Sequence, residues 1–328
     1  MLRHTCQGML RRASLGLRHM EFILQNHSSY PGIGARTDGQ TRLANQSAVI
    51  DEILHEQEQT GIDVVTDGQV HWHDPISHIA GALEGVRLGG AVRYFGTERP
   101  VRQPLITGSL HRPRSILCED FISASRISRL PVKPVLPGPY TLARFSAIEA
   151  GPYTDLASLA HAFSEILALE VRDLARAGAR YIQIEEPAIL SHSDDIRLLR
   201  QLLEPVWSAR GGAELVVATY GGDAEPLYAQ LNSLPADILA LDICAGPRLA
   251  ELIAATGASK VLALGLIDGR HPRLEEASAV ARQVDAIVKR YVLESLHLLP
   301  SSGLQGLPRD GARAKLELLG RVRQLLRW

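Results

Sequence analysis

From Glu21 onward, short apolar runs alternate with longer stretches in which apolar side chains return every three to four residues. That alternation is the mark of βα units built around a parallel sheet. Eight runs read as strands: Phe22–His27, Ile62–Thr66, Val132–Leu136, Tyr181–Ile184, Leu215–Ala218, Ile238–Leu241, Val261–Leu266 and Leu296–Leu299. Each reads as apolar on both faces, as expected where helices cover the outside and side chains fill the inside. Between them, Gln40–Thr60 puts Leu43, Ile50, Ile53 and Leu54 on one helical face and stops at Gly61. Thr154–Ala177 does the same with Leu156, Leu159, Phe163, Ile166 and Leu174, stopping at Gly178, and Arg273–Tyr291 and Asp310–Leu326 close the series. The stretch Leu83–His111 breaks the rhythm. Gly89 and Gly90 stand between Val86-x-Leu88 and Val92-x-Tyr94, which predicts a β-hairpin excursion between the second and third strands. The pattern predicts an α/β fold, a (β/α)8 TIM barrel, in one domain spanning residues 21–328.

Composition narrows the function. The 328 residues are 45% hydrophobic and 22% charged with a formal net charge of −1, which excludes a disordered chain. No apolar run approaches the roughly 18 residues of a membrane span, and balanced charge gives no nucleic-acid footprint. Cys6, Cys118 and Cys244 form no C-x-x-C pair, which argues for a reducing compartment, so a cytoplasmic location is expected. Met1, Met9 and Met20 are the three methionines, and each is a candidate start. Residues 1–20 carry Arg3, Arg11, Arg12 and Arg18 with no acid before Glu21. Lacking an apolar h-region, they read as a disordered N-terminal extension rather than a targeting presequence.

In such a barrel the residues that follow each strand face the active-site mouth. Here these are Ser28 and Ser29; Asp67, Gly68 and Gln69, with His71 and His73; Gly138–Thr141; Glu185 and Glu186; Thr219–Gly222; Asp242 and Cys244; Asp268; and Ser301–Gly303. Glu185 and Glu186 end one strand together, so one points into the mouth and the other toward the wall. The inward carboxylate is a candidate general acid/base or anchor for a substrate amine, against the alternative of a helix-capping pair. His71 and His73 make a weak metal signal without a third ligand, and His71 is kept as a candidate acid/base. Asp74 before Pro75 reads as a helix N-cap. Cys244 reads equally well as a small core residue.

Six strand-end fragments, in order, carry a resemblance. Ile184–Ile189 (I-E-E-P-A-I) is similar to I-D-E-P-A-L, Pro137–Thr141 (P-G-P-Y-T) to G-P-Y-T, and Val65–Gln69 (V-T-D-G-Q) to T-D-G-E/Q. Gly265–Asp268 (G-L-I-D) is similar to G-V-I-D, Pro300–Leu304 (P-S-S-G-L) to P-D-C-G-L, and Ser28–Pro31 to G-S-F-P. From about Glu21 to its end, the chain resembles the catalytic barrel of cobalamin-independent methionine synthase and its shorter relatives. The resemblance implies methyl transfer to an amino-acid thiol held on zinc, with a methyl-folate or another methyl donor. The family's zinc ligands fall on Val217, Thr219, Asp242 and Ser302, of which only Asp242 keeps a usable donor. Zinc is therefore not expected at that site. Glu185 stands where the family holds the substrate amino group, and Ser29 where it contacts the carboxylate. Gln69 replaces a family glutamate.

The reading is a methyltransferase-like enzyme acting on a small amino-acid-like substrate. Its catalytic candidates are Glu185, His71 and Asp242. Its substrate-binding candidates are Ser29, Asp67, Gln69, Tyr140, Glu186, Tyr220, Asp268 and Ser302. The partners expected are a small molecule and, left open, a second copy in a homodimer, with no nucleic acid and no membrane. A metal-free lyase or decarboxylase and a non-catalytic amino-acid-binding homologue remain as alternatives.

Overall fold

The computed structural model describes residues 20–32, 39–93, 100–246, 248–289 and 295–326. Residues 1–19 of the expected N-terminal extension, with Met1 and Met9, lie outside the described residues, as do Tyr94 and Tyr291. In chain order the elements are β1 (Glu21–Leu24), α1 (Gly39–Gln59), α2 (Pro75–Ala80), β2 (Glu84–Val92), β3 (Val101–His111), α3 (Cys118–Ile127), β4 (Val135–Pro137), α4 (Pro139–Phe145), β5 (Ala147–Ile148) and α5 (Leu156–Arg176). There follow β6 (Tyr181–Glu185), α6 (Ile196–Ser208), β7 (Glu214–Thr219), α7 (Tyr228–Leu231), β8 (Ile238–Asp242), α8 (Leu249–Thr256), β9 (Val261–Ile267), α9 (Ala277–Val288), β10 (Ser295–Pro300) and α10 (Arg309–Leu325). Among the described residues no helix is long and apolar enough to cross a membrane.

The main sheet is parallel, with the order β1-β10-β9-β8-β7-β6-β4. Single parallel bridges, Gln25 to Val64 and Val65 to Val132, link its two ends through residues 64 and 65. Of the expected second strand, Ile62–Thr66, residues 63–65 still donate to backbone carbonyls on either side, and the pairing stops at Thr66, where a side chain takes both backbone groups. The Asp63 carboxylate accepts from Leu24 N at 2.7 Å. The Gln57 carboxamide accepts from Thr66 N at 3.1 Å and donates to Thr66 O at 2.8 Å, doing the work of a neighbouring strand. The third strand pairs continuously only from Val135, since Pro134 has no N–H to give. Strands β6 to β10 fall within one residue of the expected runs.

The antiparallel pair β2–β3 occupies the predicted place in the chain, but not with the predicted turn. Gly89 and Gly90 lie inside β2, at the register shift between Leu88 and Ala91. A Cβ on Gly89 would come within 2.8 Å of the Leu105 side chain. The glycine pair therefore marks a bulge, with Gly89 under a packed leucine. β3 also pairs with β5, giving a small three-stranded side sheet.

Side chains alternate along each strand between two clusters. One joins Ile182, Ile184, Leu215, Val217, Leu239 and Leu241 to helix residues such as Phe163, Leu199 and Leu316. The other consists of strand and bridge residues alone: Val64, Tyr181, Val216, Ala218, Ile238, Ala240, Ala263 and Leu299. This second face is not the wholly apolar surface the sequence pattern predicted. Gln25, Lys133, Gln183 and His297 share it by alternation, and all four are buried.

Candidate active site

Glu185 ends β6 on the same face as Gln183, two residues earlier. Its buried carboxylate accepts from the Tyr220 hydroxyl at 2.9 Å and from Gln183 Nε2 at 3.2 Å. His27 Nδ1 lies 3.4 Å away. The His27 and Tyr220 rings meet edge to face, with centroids 5.2 Å apart. Burial raises the Glu185 pKa above the ordinary carboxylate range, while Tyr220, Ser28, Gln183 and the charge of Lys133 pull it back. Burial, with the Lys133 charge, drops His27 to about 3, so this imidazole is neutral at physiological pH.

Glu186 turns the other way, as strand alternation requires. It is fully buried and accepts from Tyr140 N at 3.0 Å, Thr141 N at 2.8 Å and Thr141 Oγ1 at 2.6 Å. Those donors are the first turn of α4, whose own N-cap position, Gly138, has no side chain to offer. A Cβ on Gly138 would sit 2.2 Å from the Glu186 carboxyl group, so this close approach requires glycine. Burial pushes the Glu186 carboxyl up to about 7 against the pull of its three donors. Tyr140 donates its hydroxyl to Asp195 at 2.6 Å and accepts from Arg144 at 2.8 Å, on the far side of the same short helix. Glu186 and Tyr140, both expected to bind substrate, thus have their polar groups engaged within the protein.

A second carboxylate stands at the end of β8. Asp242 is buried and accepts from Ala245 N at 2.9 Å, Gly221 N at 3.2 Å and Arg270 Nη1 at 3.2 Å. Arg270 also donates from Nε to Asp268 at 2.8 Å, and His271 pairs with Asp268 at 2.7 Å. Adjacent residues therefore reach both carboxylates, with the Tyr220 hydroxyl on Glu185 and Gly221 N on Asp242. Gly221 makes that turn at φ +75°, where a side chain would be strained. Cys244 is exposed as a residue, but its Sγ is directed at Gly265 O, 3.5 Å away. Desolvation of its thiol, together with Asp242, Asp268 and Glu275, pushes it up to about 12, far from a reactive thiolate.

The four positions that the resemblance assigns to zinc do not form a donor set. Val217 is hydrocarbon and packs in the helix-facing cluster. Thr219 pairs in register with Leu241, a member of that same cluster. The Asp242 carboxylate is already taken up by two backbone N–H groups and Arg270. Ser302 is buried against Gly269. Among the described residues no three His, Cys, Asp or Glu side chains are placed to hold a metal ion. A zinc ion does not fit the residues present.

The remaining candidates are spread around the strand ends. The Ser29 hydroxyl donates to Gln305, and Ser29 O accepts from Leu304 N at 2.8 Å, tying the first and last strand exits together. Asp67 accepts from Gln69 N at 3.1 Å; burial and the charge of Asp120 raise its carboxyl to about 6. Gln69 has φ +54°, unusual for a residue with a side chain, and its Nε2 is buried without a hydrogen-bond partner among the described residues. His71 lies within electrostatic reach of Asp120 and His78. His73 is mostly exposed beside Asp74. Asp74 caps α2, accepting from Ser77 N at 2.6 Å. The described electrostatic neighbours of His71, Asp120 and His78, are not those of Glu185 or Asp242. Sequence reading passed over His27, Lys133, Gln183, Arg270 and Gln305. The one signal for Lys133 was a lone cation inside an otherwise apolar strand.

These features define an α/β protein with a mostly parallel sheet and buried, hydrogen-bonded carboxylates at the carboxyl ends of its strands. A family model described as cobalamin-independent synthase, catalytic domain, matches residues 34–324. A methionine synthase of Sulfurisphaera tokodaii is 27% identical over 285 residues, covering 86% of this chain and 82% of its relative. One of Saccharolobus islandicus is 30% identical over 288 residues, covering 86% and 84%. Among solved structures, a B12-independent methionine synthase from Shewanella sp. W3-18-1, in complex with selenomethionine, superposes with a TM-score of 0.79. Its identity is 22%, covering 92% of this chain and 97% of that one. The chain belongs to the cobalamin-independent methionine synthase catalytic-domain family, whose function is of the methyltransferase type.

Proposed function

We propose that this chain is a methyltransferase that acts on a small α-amino acid bearing a thiol or thioether, with Glu185 as the anchor for the substrate ammonium group and without the family's zinc. The observation that carries the reading is the Glu185 carboxylate, buried at a strand end and held by Tyr220 and Gln183 beside a neutral His27. A buried carboxylate is a costly group unless a cation meets it, and an arriving ammonium supplies that cation. The two bridges that link the sheet's ends, and a core cluster made of strand and bridge residues alone, support a closed eight-stranded (β/α)8 barrel with Glu185 at its mouth.

In the reaction a substrate sulfur attacks the methyl carbon of the donor. The new S–C bond forms as the donor's bond to that carbon breaks, the donor keeps the electron pair, and a thiol substrate releases its S–H proton to solvent. A donor that leaves as a neutral molecule, such as a sulfonium, needs the least activation of the sulfur. The residues described here bind and orient the amino-acid end. The test is calorimetric binding of L-homocysteine and L-methionine to wild type and Glu185→Gln, with metal content measured on the same preparation. Losing a charge-assisted hydrogen bond is expected to weaken binding by roughly 10- to 100-fold. Equal affinity in the variant, or stoichiometric zinc in the active protein, would sink the reading.

A further inference from the structure

Beneath Glu185, Lys133 is fully buried on the inner face of the sheet. Its Nζ donates to Gln25 Oε1 at 2.8 Å and Gln183 Oε1 at 2.6 Å. An ammonium group only donates, so both carboxamides must turn their oxygens toward it. Their nitrogen ends are then committed to face away. Gln183 Nε2 donates to Glu185 at 3.2 Å, and Gln25 Nε2 donates to Nδ1 of His297. One lysine thus sets the orientation of two amides on two strands, and one of them is aimed at the site carboxylate.

The charges around this network point the same way. The titratable groups facing Glu185 are His27 beyond β1, Lys133 before β4 and Tyr220 beyond β7. His297 of β10 lies next to Lys133 through Gln25. His27 and His297 are both driven to about 3, chiefly by burial and then by Lys133, and Tyr220 donates its hydroxyl to the carboxylate. Among these described groups Lys133 is the one whose cationic form persists toward neutral pH. Burial lowers it to about 7, and the Glu185 carboxylate pulls it back up.

We propose that Lys133 is a positioning residue for Glu185, aiming the Gln183 N–H at its carboxylate and adding a buried cation that favours the ionised form over the protonated one, ready to receive a substrate cation. The proposal rests on Glu185 as the ammonium anchor and deepens that reading.

The experiment is binding of L-methionine to wild type and Lys133→Gln from pH 6 to 9. Without the lysine charge the Glu185 pKa rises, so the variant should bind ~10-fold or more weakly at pH 7 and recover as the pH rises by a unit or more. Affinity equal to wild type at every pH overturns the proposal, as does an equal loss at every pH, which a purely structural role would give. A fold-independent check uses the wild-type protein. The carboxyl band of Glu185 in its infrared spectrum, assigned by its loss in Glu185→Gln, should be that of a carboxylate at pH 7. A protonated band there overturns the proposal. If Glu185→Gln itself binds L-methionine as tightly as wild type, the ammonium reading fails instead, and the infrared result still judges Lys133.

Discussion

Removing Glu186 separates the two adjacent glutamates by role. In Glu186→Ala, Tyr140 N and Thr141 N lose their acceptor in a fully buried setting, while the Thr141 hydroxyl can turn elsewhere. A buried donor left unsatisfied costs about 1–3 kcal/mol, so two predict a loss of about 2–6 kcal/mol from a total near 5–15 kcal/mol. The pH dependence has a definite sign. Burial raises the folded-state carboxyl from 4.5 to about 7, so the native chain holds this proton more tightly than the unfolded one. The group's contribution is therefore complete below the usual glutamate range and declines as pH rises through about 7. At about 1.4 kcal/mol per unit, the cost of the alanine change should be about 3 kcal/mol larger at pH 5 than at pH 8. Urea unfolding of both proteins followed by circular dichroism at the two pH values measures it. A cost below about 1 kcal/mol at both pH values would refute the capping argument. A cost that grows with pH would show that the three donors outweigh burial.

Other outcomes follow from the same geometry. His27 and His297 stay neutral in the fold down to about pH 3, whereas an unfolded histidine protonates near 6.5. Stability from these groups is present above 6.5 and is lost as pH falls toward 3. Between pH 6 and 5 the pair should remove about 2.4 kcal/mol, and His297→Gln should roughly halve that slope in urea titrations; an unchanged slope would remove His297 from the account. Gln69→Gly relieves a left-handed backbone and should raise stability by about 1 kcal/mol, seen as a higher Tm. A lowered Tm would mean that the Gln69 side chain contributes more than its backbone conformation costs.

The α/β rhythm was legible because hydrophobic period and glycine stops are local signals, and β6 to β10 with α1, α5 and α10 follow them closely. The second strand was misread for a reason that no local pattern carries. Gln57, on the helix before it, is the residue that satisfies both backbone groups of Thr66. Gly89 and Gly90 suggested a turn because a glycine pair usually makes one, yet Leu105, sixteen residues after Gly89, needs the space above it. At the site, alternation correctly separated Glu185 from Glu186. It could not show that Glu186 faces a helix whose own cap position lacks a side chain.

The polar layer under Glu185 illustrates the same limit more sharply. Lys133, Gln183 and His297 each interrupt an apolar run once and Gln25 begins the polar end of another, and each alone is too slight to alter a strand assignment. A single buried lysine or glutamine would destabilise the fold, since its desolvation has nothing to offset it. Together they satisfy one another: the lysine fills both carbonyls, and the freed amide nitrogens fill a histidine and a carboxylate. The energetics are therefore a property of four chain segments meeting at one level, not of any residue. A change to one member should be costlier than its own contacts suggest, because each partner left behind is also buried. That coupling gives a reason for the interior to stay polar: it ties the direction of the Gln183 N–H on Glu185 to three other buried side chains.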